Sequence, residues 1–458
     1  MIADEIYVFK PETKRNIIIL GIVGILLFAL GVFIASRSGG HHEAAEGGHG
    51  GHASVEASKH LVASTEQHAA AEGKGHEAAA GEHHGSSPLV KRIFTSLWQN
   101  NIFFAGIGII GLFFIAIQYA AQAGWSAPIK RIPLAIGSWI PIAGILTIVI
   151  WFVVKGDVFH WMHHDLYVKD SAEYDKIIDG KAGMFFWPLA HGSFPIFYVV
   201  RMVVFFGLWY MFFTWIKKEM LAEDINGGTS HWIKARKFSA IFLVIFAVSS
   251  SVSAWDWVMS IDTHWFSTMF GWYVFASWWV TGLATITFIV ATLKNAGYLK
   301  MVNHNHLHDL GKFVFAFSIF WTYIWFGQFL LIYYANIPEE TVYFIQRMRT
   351  APYSWIFYAN LFLNFVLPFL LLMTRDAKRH VSMLRVVCPI VIVGHWFDFY
   401  NMITPGVMKT EGGIGFLEIG LFLTFASFFL FVVLTALSKV QLVAKHHPMM
   451  GESLNHHI

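Results

Sequence analysis

Among its 458 residues the chain has a single cysteine, Cys388, and only 13% charged residues. One cysteine excludes an internal disulfide, a cysteine-ligated iron–sulfur cluster and a c-type haem attachment motif. Any redox chemistry the chain serves is therefore expected to run on centres held elsewhere. Soluble proteins carry roughly 25% charged residues, and about half that density cannot cover a soluble surface of this size. A formal net charge of +3, with the basic residues at the ends of apolar runs, excludes a nucleic-acid partner. What fills the chain instead is apolar: 56% hydrophobic residues, 44 Phe and 19 Trp, with a mean hydropathy of +0.54. The expected class is an all-α polytopic membrane protein.

A bilayer core about 30 Å thick takes about 20 mostly apolar residues per helix. Ten segments qualify: 16–35, 95–121, 133–154, 185–216, 238–261, 268–293, 311–336, 353–373, 382–404 and 415–438. The fourth is too long for one straight span, and Pro188 and Pro195 predict a re-entrant or kinked approach to it. Lys14 and Arg15 precede the first, but its run exceeds the 7–15 apolar residues of a signal peptide, so it reads as an uncleaved anchor. Ten spans put both termini on one side. Placing that side in the cytoplasm gives the inner flanks most of the 32 Lys and Arg, among them Lys130, Arg131, Lys217, Lys218, Lys234, Arg236, Lys237, Arg375, Lys378 and Arg379.

Between the first two spans, residues 36–90 are rich in Ala, Gly, Glu and His, with nine histidines from His41 to His84. That composition predicts a flexible loop on the outer side, with a short surface helix at 55–71. The histidine spacing is irregular and no cysteine assists, so no specific metal site is expected.

Ionisable residues inside spans are functional candidates by default. Asp398 lies 13 residues past Arg385, about 20 Å deep at about 1.5 Å per residue, and His395 shares its helical face. Asp256 falls near the outer edge of the fifth span, with Asp262 and His264 in the following turn. Arg201 sits in the fourth span and Glu418 in the first turn of the tenth. Buried carboxylates carry protons and a neighbouring His relays them, while Ser249, Ser250 and Ser253, just inward of Asp256, suit a water wire. The alternative is structural: Arg201 neutralises one carboxylate and the rest touch interfacial water. With one deep histidine, a bis-histidine haem is not expected.

At the outer end of the third span, His160, His163, His164, Asp157 and Asp165 gather around Trp161. Of these, His160, His164 and Asp165 are quinone-adjacent candidates, against the plainer reading of an interfacial loop. His304-x-His306-x-His308, with Asp309, reads as a turn on the inner side that caps a helix. The aromatic stripes Trp272 to Trp279 and Trp321 to Trp325 read as packing first and as a quinone-tail lining second. An aspartate between aromatic rings occurs in the fifth span (Trp255-Asp256-Trp257) and the ninth (Phe397-Asp398-Phe399), four spans apart. This predicts a parallel repeat of two four-helix bundles. The division is residues 1–35 as first anchor, 36–90 as loop, 91–262 and 263–405 as the bundles, and 406–458 as tenth span and tail.

Longer stretches carry a resemblance. Ser253-Ala-Trp-Asp-Trp-Val-Met-Ser-Ile-Asp-Thr-His-Trp-Phe-Ser267 with Gly271-Trp-Tyr-Val-Phe-Ala-Ser277, Asn305-His-Leu-His-Asp-Leu-Gly-Lys312, and Tyr333-Tyr-Ala-Asn-Ile-Pro-Glu-Glu340 resemble the ActF-type membrane subunits of alternative complex III. That complex is a bacterial quinol:cytochrome c oxidoreductase, and these subunits are similar to the NrfD/polysulfide-reductase membrane anchors. The resemblance covers about residues 90–440. It implies ten spans in the bacterial inner membrane, both termini cytoplasmic and the His-rich loop periplasmic. Implied partners are a sister NrfD-like subunit, an iron–sulfur/molybdopterin-like subunit, a multi-haem cytochrome c subunit, small membrane anchors and, in some complexes, a terminal oxidase. Menaquinol is the implied electron donor. The chain itself is expected to hold no metal and no covalently bound cofactor, with lipids around it.

Three functions follow as alternatives. The first is a respiratory-complex subunit with no electron carrier of its own, whose buried carboxylates form a proton path or quinone-adjacent pocket. The second is a purely structural anchor for periplasmic redox subunits. The third is a stand-alone proton-coupled transporter.

Overall fold

The computed structural model describes residues 5–39 and 86–457. Most of the His-rich loop, with the helix expected at 55–71, lies outside the described residues. Among the described residues ten helices are long and apolar enough to cross a membrane: α1 Pro11–Arg37, α2 Pro88–Ala120, α3 Arg131–Val158, α4 Ile196–Asn226, α5 Ser230–Ile261, α6 Phe270–Asn295, α7 His304–Ala335, α8 Ala351–Leu371, α9 Val381–Met408 and α10 Phe416–Leu437. Among the described residues there is no strand beyond one isolated β-bridge, Ile6 with Gln441. The chain is an all-α polytopic membrane protein.

Apolar windows locate the spans, and polar ends lengthen or shift them. The fourth span begins at Ile196 rather than 185, because Pro188 and Pro195 withhold helix donors. Residues ahead of it form the short helices Lys176–Lys181 and Gly183–Phe186. His304, His306 and His308 are not in a turn but open α7. Asn303 Oδ1 accepts from the backbone N–H of Asn305 (2.8 Å) and His306 (3.2 Å), and His306 Nδ1 accepts from that of Asn303 (3.2 Å). This reciprocal cap satisfies donors a helix start leaves free.

Contacts run from α2 through α3, α4 and α5 back to α2, and from α6 through α7, α8 and α9 back to α6. The two rings meet where α2 and α5 touch α6 and where α2 touches α9. The central pair is α2 and α6, whose apolar windows are 94% and 89% buried. In a bilayer, apolar side chains gain little by leaving lipid for protein, so interhelical hydrogen bonds and close packing hold the helices together. On α2, Trp98 Nε1 donates to Trp257 O of α5 (2.8 Å) and Asn101 Nδ2 to Thr147 Oγ1 of α3 (2.7 Å). Its Asn100 Oδ1 accepts from Trp396 Nε1 of α9 (3.0 Å). Outside the rings, α1 packs on α10. The Ile6–Gln441 bridge joins both ends of the described chain on one face, here the termini face. By alternation of the spans, residues 159–195 and the helix Pro338–Arg349 lie on the far face.

Candidate functional site

The α6–α9 ring encloses a polar cluster on α9. His395 and Asp398 are both fully buried, one turn apart. Asp398 accepts three hydrogen bonds, one from each of the other helices of its ring. The Tyr273 hydroxyl of α6 and Asn360 Nδ2 of α8 (2.8 Å) donate to Oδ1, and Trp321 Nε1 of α7 (2.9 Å) donates to Oδ2. His395 Nδ1 lies 3.0 Å from Ser277 Oγ and 3.8 Å from Asp398 Oδ2. Its Nε2 is buried with no hydrogen-bond partner among the described residues.

The backbone of α8 is adapted to this cluster. Residues Phe362–Val366 form a π turn, followed by Pro368, and widened turns of this kind recur at functional sites. Asn364 Nδ2 donates to Asn360 Oδ1 (2.5 Å), fixing the amide that donates to Asp398. Gly394, beside His395, lies against α8: a Cβ there would collide with the Asn364 side chain.

The other three candidate carboxylates are each paired with arginine. Asp256 takes both Arg201 Nε (2.7 Å) and Nη2 (2.8 Å). Asp262 takes Arg347 Nη2 (2.7 Å), and Arg347 also donates to the carbonyls of Asn401, Met402 and Tyr343. Glu418 takes Arg92 Nε (2.5 Å) and Nη2 (2.8 Å) and caps α10 through the Gly415 N–H (2.7 Å). The serines inward of Asp256 bond within their own helix: Ser250 donates to Ala247 O and Ser253 to Ser250 O, while Ser249 accepts from Trp209 Nε1 (2.9 Å).

Arg347 links the far face to the cluster. A narrow cavity of about 10 Å³, near the smallest that holds one water, is lined by Tyr273, Gln328, Arg347 and Asn401 among others. One wall is thus bonded to Asp398 and another to Asp262.

On the far face, His160, His163 and His264 border a cavity of about 320 Å³ with Lys91, Asp157 and Lys409. Burial first, then the charge of His163, lowers the His160 pKa. His264 Nε2 is 2.5 Å from Asp175 Oδ2, and His164 Nδ1 is 3.2 Å from Gly192 O. His164 and Asp165 are exposed and lie outside that cavity. A second, apolar cavity of about 330 Å³ opens beside Asp256 and Ser260, walled by Trp161, Phe185, Trp255 and Phe266.

His395 and Asp398 stand together in the sequence, where their partners are not marked as such. Tyr273 and Trp321 stand in stripes read as packing. Asn360 and Asn364, two amides four residues apart in an apolar run, were the visible signal for α8. Arg347 sits in an amphipathic segment that resembles an interfacial loop. No protein-family model and no curated protein matches the chain.

Proposed function

We propose that the chain is a membrane subunit of a quinol-oxidising respiratory complex of the alternative complex III type, and that Asp398 with His395 forms the centre of a proton path through it. The resemblance of Ser253–Ser267, Asn305–Lys312 and Tyr333–Glu340 supports the membership. The path rests on one observation: Asp398 alone among the four candidate carboxylates is held by three neutral donors, with His395 at 3.8 Å. A carboxylate placed only to brace helices is paired with arginine, as Asp256, Asp262 and Glu418 are. Those three support the anchoring role, so the same chain both braces its helices and carries protons. Protons enter from the far face, beside the Asp262–Arg347 pair, and pass the narrow cavity to Tyr273, Asp398 and His395. The termini face is then cytoplasmic, as the Lys and Arg distribution favours. The apolar cavity beside Asp256 suits a quinone or a lipid chain.

Asp398→Asn tests the path in the purified complex reconstituted in vesicles. The expected result is normal assembly with quinol-driven proton translocation at least about tenfold lower, a modest loss for a missing proton carrier. Unchanged coupling with intact assembly would leave the anchor reading alone. Membership is tested by mild-detergent purification: recovery of the chain with a multi-haem cytochrome and an iron–sulfur protein is expected, and recovery alone without haem absorbance removes it.

A further inference from the structure

A second buried ionisable cluster lies at the termini face, outside the α6–α9 ring. Lys130, in the connection from α2 to α3, is 2% exposed, and Glu223, near the end of α4, is 1% exposed. Tyr119 of α2 stands between them, its hydroxyl 3.4 Å from Glu223 Oε2 and its ring centroid 4.1 Å from Lys130 Nζ. Arg131 closes the side by pairing with Asp224 and donating to Met220 O (3.1 Å).

The remaining wall is the segment after α10, folded back over the ring. Leu442 N donates to Glu5 O (2.8 Å), Lys445 N donates to Asp224 Oδ1 (3.1 Å), and His446 Nδ1 lies 2.8 Å from Asp224 O. These contacts deliver His447, 4% exposed, with Nε2 2.9 Å from Lys130 Nζ. Beyond it Glu452 abuts Gly124, where a Cβ would stand 2.5 Å from its Oε2, and Ser453 donates to Trp125 O (3.2 Å).

A lysine kept only for structure gains most from a carboxylate, but Lys130 is aimed at an imidazole. As an ammonium it donates to His447 Nε2 only while that nitrogen is bare. Burial, then the charges of Lys130 and Arg131, holds His447 in that state, pushing its pKa down to about 3. Lys130 itself is brought to about 7 by burial, which outweighs the opposing pull of Glu223 and is helped by the charge of Arg131 against that of Glu452. Glu223 Oε1 and Arg131 Nε and Nη1 are buried with no hydrogen-bond partner among the described residues. Buried polar atoms left unpaired in this way call for a specific explanation, and a site that takes up and releases a proton supplies one.

We propose that Lys130, Tyr119, Glu223 and His447 form a proton-binding site at the termini end of the α2–α5 ring, closed by the folded-back C-terminal segment. The site belongs to the other ring from Asp398 and stands whether or not the chain conducts protons.

Competitive acylation of the full-length chain across a pH series, read lysine by lysine by mass spectrometry with exposed Lys234 as internal standard, measures it. Lys130 is expected to titrate near pH 7, against about 10.4 for an ordinary lysine. Glu223→Gln removes an anion that favours the ammonium and is expected to lower the midpoint further. Removing residues 441–458 lets water in and is expected to raise it by at least about 1 pH unit. His447→Ala, which keeps the segment but removes the acceptor of the ammonium, is expected to lower the midpoint and serves if the shortened chain does not fold. An intact chain whose Lys130 titrates with Lys234 overturns the site, and so does a midpoint that Glu223→Gln and His447→Ala both leave in place. Asp398→Asn is expected to leave the midpoint unchanged, which separates this test from that of the proton path.

Discussion

Asp256 and Asp398 hold matching places in the sequence, each between aromatic rings in spans that run the same way, yet their side chains meet opposite surroundings. Asp256, 1% exposed, receives both nitrogens of an arginine fork. Asp398 receives a phenol, an indole and an amide. Breaking a buried ion pair by removing one partner costs about 3–5 kcal/mol, because the charge left behind is uncompensated. Arg201→Met is therefore expected to lower the melting midpoint of the detergent-purified chain strongly. Arg201→Met combined with Asp256→Leu is expected to recover most of the loss, since no charge then remains buried. A double variant as unstable as the single one would show that Arg201 acts through its packing on Phe197, 4.3 Å from ring centroid to guanidinium carbon. Both aspartates were legible as ionisable residues in apolar runs. Their difference was not, because sequence gives depth along a helix but not the partner it faces: Arg201 is 55 residues from Asp256, and Trp321 is 77 from Asp398.

Helix by helix, composition settles where a span exists, and its ends and neighbours depend on less visible features. The α1–α10 pair shows this. Neither helix has an amphipathic stripe that names its partner, and what joins them is small residues that let backbones approach. A Cβ on Gly24 would stand 2.9 Å from Gly420 O, and one on Gly420 would strike the Phe28 backbone. The Ser427 hydroxyl then donates to Ile17 O (2.7 Å). Gly420→Leu is expected to part α1 from α10, at about 1–3 kcal/mol for an overpacked contact. A cysteine pair across the two helices that cross-links in the parent and fails to in Gly420→Leu would check it; unchanged cross-linking would mean that other contacts hold α1. The same limit applies to α8, where the apolar run was plain but the π turn was not. That turn answers to Pro368 and to the fit of Asn364 against Gly394, a relation between two helices that no single run displays.

Across the whole molecule the two faces are closed by different means, and the far face is closed in part by hydrogen bonds to carboxylates that acid removes. Residues 159–195 fold over that face, pinned to it by His264 on Asp175 (2.5 Å), Lys181 Nζ on Thr263 O (2.7 Å) and Trp161 Nε1 on Ser260 Oγ (3.3 Å), while His191 on Asp179 (2.6 Å) ties the segment to itself. Asp175 also caps the helix Lys176–Lys181, accepting from Ile177 N (2.9 Å) and Ile178 N (3.0 Å). Burial raises the Asp175 pKa, but the hydrogen bonds from His264 and from these backbone groups overcome it, and the net shift is downward. The His191 hydrogen bond, set against a smaller desolvation, lowers Asp179 likewise. A carboxyl whose folded pKa is depressed contributes stability that is whole above its unfolded value, about 3.9, and is lost as pH falls through the folded one. The cover is therefore expected to stay closed from neutral pH down to about pH 4 and to loosen below it, while the helices beneath remain. Proteolysis within residues 169–181 at graded pH, with an acid-active protease, is the measurement. Asp175→Ala lacks both the cap and the His264 contact, so it is expected to be cut at neutral pH and to show less added sensitivity in acid. A parent chain cut equally at every pH would mean that Trp161 and Phe185, stacked at 4.0 Å between ring centroids, hold the cover without help from charge.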